Sequence, residues 1–194
     1  SSVFNGNNNR ALGNYSGIFN GRFNFISSSH GIVLNGFINS AITGTYSTIV
    51  NGSGNTASGI LSSVINGVVN VASGVHSLIG AGILNIASAR YTLILNGSNN
   101  SATTSYHATV ITGIRNRVTG LRSTIINGSG NTVTGNLSTI DNGHLNTISS
   151  NYSSILNGRR HNVSGNYSSI LNGTQHTVSG PFSAIIGGSG HTVS

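Results

Sequence analysis

The stretch GNYSSILNGTQHTVSG, Gly165 to Gly180, decides how the whole chain reads. Its first nine residues restate SNYSSILNG, Ser150 to Gly158, which restates GNLSTIDNG, Gly135 to Gly143, each copy fifteen residues after the last. Extended outward, this spacing places unit starts at Gly13, Ser28, Gly44, Gly59, Gly74, Ala89, Ser105, Gly120, Gly135, Ser150, Gly165 and Gly180, after a truncated unit, Ser1 to Leu12. The units starting at Ser28 and Ala89 carry one extra residue, near Thr43 and Thr104. A fixed period of this kind outranks any local propensity as evidence of architecture.

With the leading Gly or Ser of each unit as position 0, each column states a physical role. Position 5 is always Val or Ile, position 13 always Ala, Val or Ile, and position 8 is glycine in all thirteen units, Gly6 to Gly188. Position 3 is mostly Ser, and position 11 is Asn until it becomes His161, His176 and His191. Each unit thus splits into two short alternating stretches with a β-branched residue at the buried site, separated by Gly-bearing turns, which is a strand signal. A helix is excluded by Gly, Asn, Ser and Thr recurring every few residues. The expected fold is all-β: a parallel β-solenoid of about thirteen 15-residue coils, two short strands per coil, as one repeat array over residues 1–194 taken from a longer fibre protein. Asn-Gly at positions 7 and 8 is expected to turn with positive φ, and positions 3 and 11 to point inward as hydrogen-bonded ladders.

Composition narrows function further. Of 194 residues only 5% are charged: eight Arg and the single acid Asp141, with no Lys, Glu, Met, Cys or Trp. One carboxylate cannot supply paired acid–base chemistry, so no enzyme, cofactor or catalytic residue is expected. The net charge of +7 invites a nucleic-acid reading, but Arg10, Arg22, Arg90, Arg115, Arg117, Arg122, Arg159 and Arg160 are spread over the chain with no lysines between them, so none is expected. No apolar run approaches a membrane span. A His ladder one coil apart, about 4.8 Å, is too widely spaced to converge on one metal ion.

Position 6 alternates with position 5 and is expected to face outward. It reads Phe4, Phe19, Leu34, Val50, Ile65, Gly80, Leu95, Ile111, Ile126, Asp141, Leu156, Leu171 and Ile186. A continuous apolar stripe calls for a cover, and a second copy of the same chain is the economical one; the competing reading puts position 6 inside a third face of the coil. Position 2 forms an aromatic rail, with Tyr15, Tyr46, Tyr91, Tyr152, Tyr167 and Phe182 as a candidate surface for sugars or a host surface protein. Asn136, Asn151 and Asn166 lie in N-x-[ST] sequons at an exposed turn and are candidate glycosylation sites. Ser/Thr pairs at positions 12 and 14, such as Thr132 and Thr134 or Thr177 and Ser179, suggest an ice-binding face as the alternative, interrupted at Arg10, Phe25, Val71, Ile86, Arg117 and Asn162.

Written as G-x-[YHL]-S-x-[VI]-x-N-G-x-x-N-x-[AV]-[ST], the unit resembles the head repeats of trimeric autotransporter adhesins, the YadA-like family, and related bacterial and viral surface fibres. The resemblance implies a left-handed parallel β-roll, trimerised along its length, extracellular at a cell or virion surface, with an adhesive or structural role. It departs where family units carry Gly-Gly and this chain has Asn-Gly.

Overall fold

In the computed structural model, which describes residues 1–194, the chain is a parallel β-solenoid of about thirteen turns with no helix. Each coil contributes two two-residue strands, at positions 4–5 and 12–13, as in Ser154–Ile155 and Asn162–Val163. The array divides into two compact units, Ser1–Asn99 and Asn100–Ser194.

Within each unit, first strands pair only with first strands and second with second, all parallel and one coil apart. Ile155 thus pairs with Ile140 and Ile170, and Ala72 with Ala57 and Ala87. The β-branched and alanine columns are therefore the core: Ile18, Val33, Ile49, Val64, Ile79 and Ile94 in the first unit, and Val110, Ile125, Ile140 and Ile170 in the second, have no solvent exposure. Burial of each such side chain contributes about 1.5–3 kcal/mol, and two per coil make every layer nearly alike.

A third parallel ladder runs along position 9 as isolated bridges: Asn7, Arg22, Phe37, Ser53, Val68, Ile83 and Ser98 in the first unit, and Ile114, Ser129, His144, Arg159, Thr174 and Ser189 in the second. The coil therefore has a third, shorter side, but position 6 does not lie inside it.

The corners explain the glycine column. Position 8 has φ between 100° and 130° in all thirteen coils. A Cβ on Gly128 would also strike the carbonyl oxygen of Gly143 in the next coil and the Asn131 amide, so conformation and close approach both demand glycine. The preceding Asn, by contrast, stays at negative φ, so only half of the expected Asn-Gly turn is left-handed. The other left-handed corners fall at positions 2 and 10, occupied by large side chains such as Tyr15 (φ 54°), Ile38 (55°), Val69 (54°) and Leu137 (51°), and at the two extra residues, Thr43 (60°) and Thr104 (81°). β-branched residues there are strained by about 1–2 kcal/mol each, a cost the flanking ladders hold in place.

Inside, Asn ladders replace part of an apolar core. Asn131 Oδ1 accepts the Asn146 N–H (2.9 Å), while its Nδ2 donates to the carbonyls of Gly143 (2.9 Å) and Asn127 (3.5 Å). The side chain stitches one coil to the next and leaves no buried polar atom idle.

Candidate interaction surfaces

Position 6 faces outward in both units, as its alternation with position 5 requires. Phe4 and Ile186 are 68% and 77% exposed, and Phe19, Leu34, Ile65, Leu95, Ile126, Leu156 and Leu171 lie between 39% and 52%. Val50, Ile111 and Asp141 are half-buried. Neighbours in the row pack on each other, Phe4 on Phe19 with ring centroids 4.8 Å apart. Beside the row lies a shallow groove floored by position 4. In the first unit Ser2, Phe4, Tyr15, Gly17 and Phe19 line it; in the second, Thr139, Asp141, Ser154, Leu156, Ser169 and Leu171 do. Asp141 has no basic partner: the arginines at positions 9–12 are on another side of the coil, and only its main chain is tied down, donating to Ile155 O at 3.0 Å.

The position-2 rail is real but closed to flat ligands over most of its length. Tyr15, His30 and Tyr46 stack at 5.1 and 4.6 Å, His76 and Tyr91 at 5.0 Å, and Tyr152, Tyr167 and Phe182 at 4.9 and 5.0 Å. Both faces of His30 and Tyr167 are covered by their neighbours, so edges and hydroxyls face solvent. Room for stacking on a sugar is greatest at the outer ends of the first and last runs, Tyr15 (81% exposed) and Phe182 (78%).

Asn136, Asn151 and Asn166 form a ladder of their own at position 1. Their Oδ1 atoms accept the N–H groups of Leu121, Asn136 and Asn151 at 2.8, 2.8 and 2.9 Å. Asn136 and Asn166 are exposed and Asn151 half-buried, so these amides hold the corner of the coil whatever else they do.

The histidines stand in for inner asparagines. His161 and His176 are buried and stack at 5.0 Å, and His176 and His191 at 5.2 Å. His161 Nδ1 accepts the His176 N–H at 3.1 Å, as an Asn Oδ1 would. Nε2 takes the place of the amide nitrogen and faces the carbonyls of Gly173 and Asn157, but at a geometry outside hydrogen-bond range. Burial, then the neighbouring His176, lowers the His161 pKa below its ordinary value. The rings run parallel and do not converge, and no group of three or more His, Cys, Asp or Glu is placed to hold a metal ion.

The fold also assembles something the one-dimensional spread of arginines conceals. Arg115, Arg117, Arg159 and Arg160 all fall at positions 9–12 of the second unit and are exposed. Position 9 has no consistent residue type, so no column announced this side of the coil; the only signal was the position number of each arginine within its unit.

No helix is long and apolar enough to cross a membrane. Scanned against protein-family models, the chain matches none, and no curated protein matches it.

Proposed function

We propose that this chain is a non-enzymatic structural or adhesive segment of a surface fibre, self-associating as a homotrimer through the position-6 row and displayed outside a cell or on a virion. The observation that carries this reading is the exposed apolar row. In each unit large aliphatic or aromatic side chains recur on one outward line in every coil but one, the exceptions being Gly80 and Asp141, more contiguous apolar surface than a monomer ordinarily leaves in water. The resemblance to trimeric adhesin heads, a fold dominated by repetition and the absence of paired carboxylates point the same way. In a secretory setting the Nδ2 atoms of Asn136, Asn151 and Asn166 are the attachment points for glycan.

Light scattering behind a sizing column, at micromolar and nanomolar concentration, tests the reading. A trimer that dissociates when Leu156 and Leu171 are both changed to Asp supports it. A wild-type monomer at both concentrations overturns it.

One observation favours a second reading. In the second unit Thr132, Thr147, Thr177 and Thr192 recur at position 12, a regular hydroxyl array of the kind that orders water. Asn162 and Arg117 interrupt it. Thermal hysteresis in a monomer would select ice binding.

A further inference from the structure

The arginines of the two units live in different surroundings. All three in the first unit lie over aromatic rings: Arg10 over Phe25 at 6.0 Å, Arg22 over Phe23 at 4.8 Å and Arg90 over Tyr91 at 5.3 Å. In the second unit none of the five has a ring beneath it, and the chain's one acid, Asp141, belongs to the position-6 row. Four of these five fall within positions 9–12: Arg159 on the third ladder, Arg115 and Arg160 at the left-handed corner after it, and Arg117 at the start of the second sheet. Arg115 and Arg117 stand in the coil that starts at Ser105, Arg159 and Arg160 in the coil that starts at Ser150, three coils or about 14 Å away.

Two ladders connect the pairs. Along position 9, Ser129 bridges to His144 and His144 to Arg159. Along position 12, Arg117 pairs with Thr132, Thr132 with Thr147 and Thr147 with Asn162. Between two pairs of unpartnered guanidiniums there are thus hydroxyls, an exposed imidazole and an amide, running along both edges of the corner that joins the third ladder to the second sheet, a surface that holds neither the position-6 row nor the position-2 rail.

We propose that this face binds an anionic polysaccharide, sulfated or carboxylated, laid along the coil stack. Each arginine pair grips an anionic group through planar, two-pronged hydrogen bonds, and Ser129, Thr132, Thr147 and Asn162 bond the sugar hydroxyls between. The spacing argues for this partner over other polyanions. Duplex DNA presents one charge per about 1.7 Å and calls for a denser basic field. Single strands need stacking platforms, and the face has no Phe, Tyr or Trp. An anionic membrane surface is met by tighter basic clusters.

The test compares two variants that each lose four positive charges. One carries Arg115→Gln, Arg117→Gln, Arg159→Gln and Arg160→Gln; the other carries Arg10→Gln, Arg22→Gln, Arg90→Gln and Arg122→Gln. Binding to immobilised heparin is measured across a salt series, beside dextran, a DNA duplex and phosphatidylserine vesicles, with circular dichroism verifying the fold of each variant. The expected result is heparin binding that weakens with salt, drops roughly tenfold or more in the first variant and stays within about twofold in the second. Equal losses in both variants reduce the effect to net charge and overturn the proposal, as does wild-type protein that ignores heparin at low salt. Patch-dependent binding that is tighter to DNA or to vesicles than to heparin overturns the choice of partner. Should the first variant misfold, Arg159→Gln with Arg160→Gln alone replaces it, with the same expected direction.

Discussion

The two units, Ser1–Asn99 and Asn100–Ser194, share their inward columns and differ in what they turn outward. At position 12 the first unit has Phe25, Val71 and Ile86 beside Ser40 and Thr56, whereas the second has no apolar residue there and carries Thr132, Thr147 and Thr177. At position 4, Ile32, Leu78 and Leu93 answer to Thr109, Thr124 and Thr139. The contrast extends to one inner ladder. From Ser123 to Ser168 in the second unit each hydroxyl donates to the carbonyl at position 0 of the next coil, as Ser138 does to Ser150 O at 2.9 Å, and accepts the next serine's N–H, as Ser138 does from Ser153 at 3.1 Å. In the first unit the series is broken by Gly31, and the buried hydroxyls of Ser62 and Ser77 have no partner. A solenoid coil therefore tolerates wide change outside while only a few inward atoms hold the stack.

The sharpest way to break this comparison is at the column both units share. Gly67→Ala in the first unit and Gly128→Ala in the second place a Cβ at φ 112° and 111° against the next coil's glycine carbonyl. Each should cost roughly 3 kcal/mol or more, and equally so, by denaturant unfolding. A large inequality would mean that the units do not share one architecture.

Where the units differ, matched serines should part. Ser138→Ala removes two satisfied bonds and is expected to cost about 1–2 kcal/mol. Ser77→Ala removes an orphaned hydroxyl and should be neutral or stabilising. A loss at Ser77 as large as that at Ser138 would show that the two ladders are equivalent in solution.

Acid should act on the second unit first. Because the folded-state pKa of His161 lies below the ordinary 6.5, the unfolded chain binds the proton more readily once pH falls through that value. Stability is thus full above about 6.5 and declines below it. His161→Asn restores the residue used in the other inner ladders and should flatten that decline in melts recorded between pH 8 and 5. An unchanged decline would assign the acid sensitivity elsewhere.

The smallest expected effect separates the arginines. Arg22→Gln should lower stability by about 0.5–1 kcal/mol through loss of its ring contact, and Arg159→Gln by less than about 0.5 kcal/mol.

The coil length, the two strands, the inward Asn and Ser ladders and the outward row of Phe19, Leu156 and Leu171 were all legible in the sequence, because each repeats one residue type in one column. The left-handed corners were not. Tyr15, Leu137 and Val69 occupy a conformation that argues for Gly or Asn, and the stacking of neighbouring coils overrides that preference. The third ladder escaped for the opposite reason: Phe37, His144 and Thr174 pair through backbone alone, which leaves no trace in side-chain type. The basic surface was hidden because Arg117 and Arg159 are distant in sequence and fall in the same stretch of the coil only when the coils are counted.

Strand partners in this molecule stand fifteen or sixteen residues apart, as Ile140 and Ile155 do or Val33 and Ile49. No step in acquiring the structure demands the closure of a loop longer than one coil, so the entropy of bringing ends together stays small and constant. A folded layer is itself the template for the next, as a growing crystal face is for the molecules that join it. Gene duplication can then lengthen or shorten such a chain in increments of one coil, and each new copy inherits a solution to its folding from the copy beneath it.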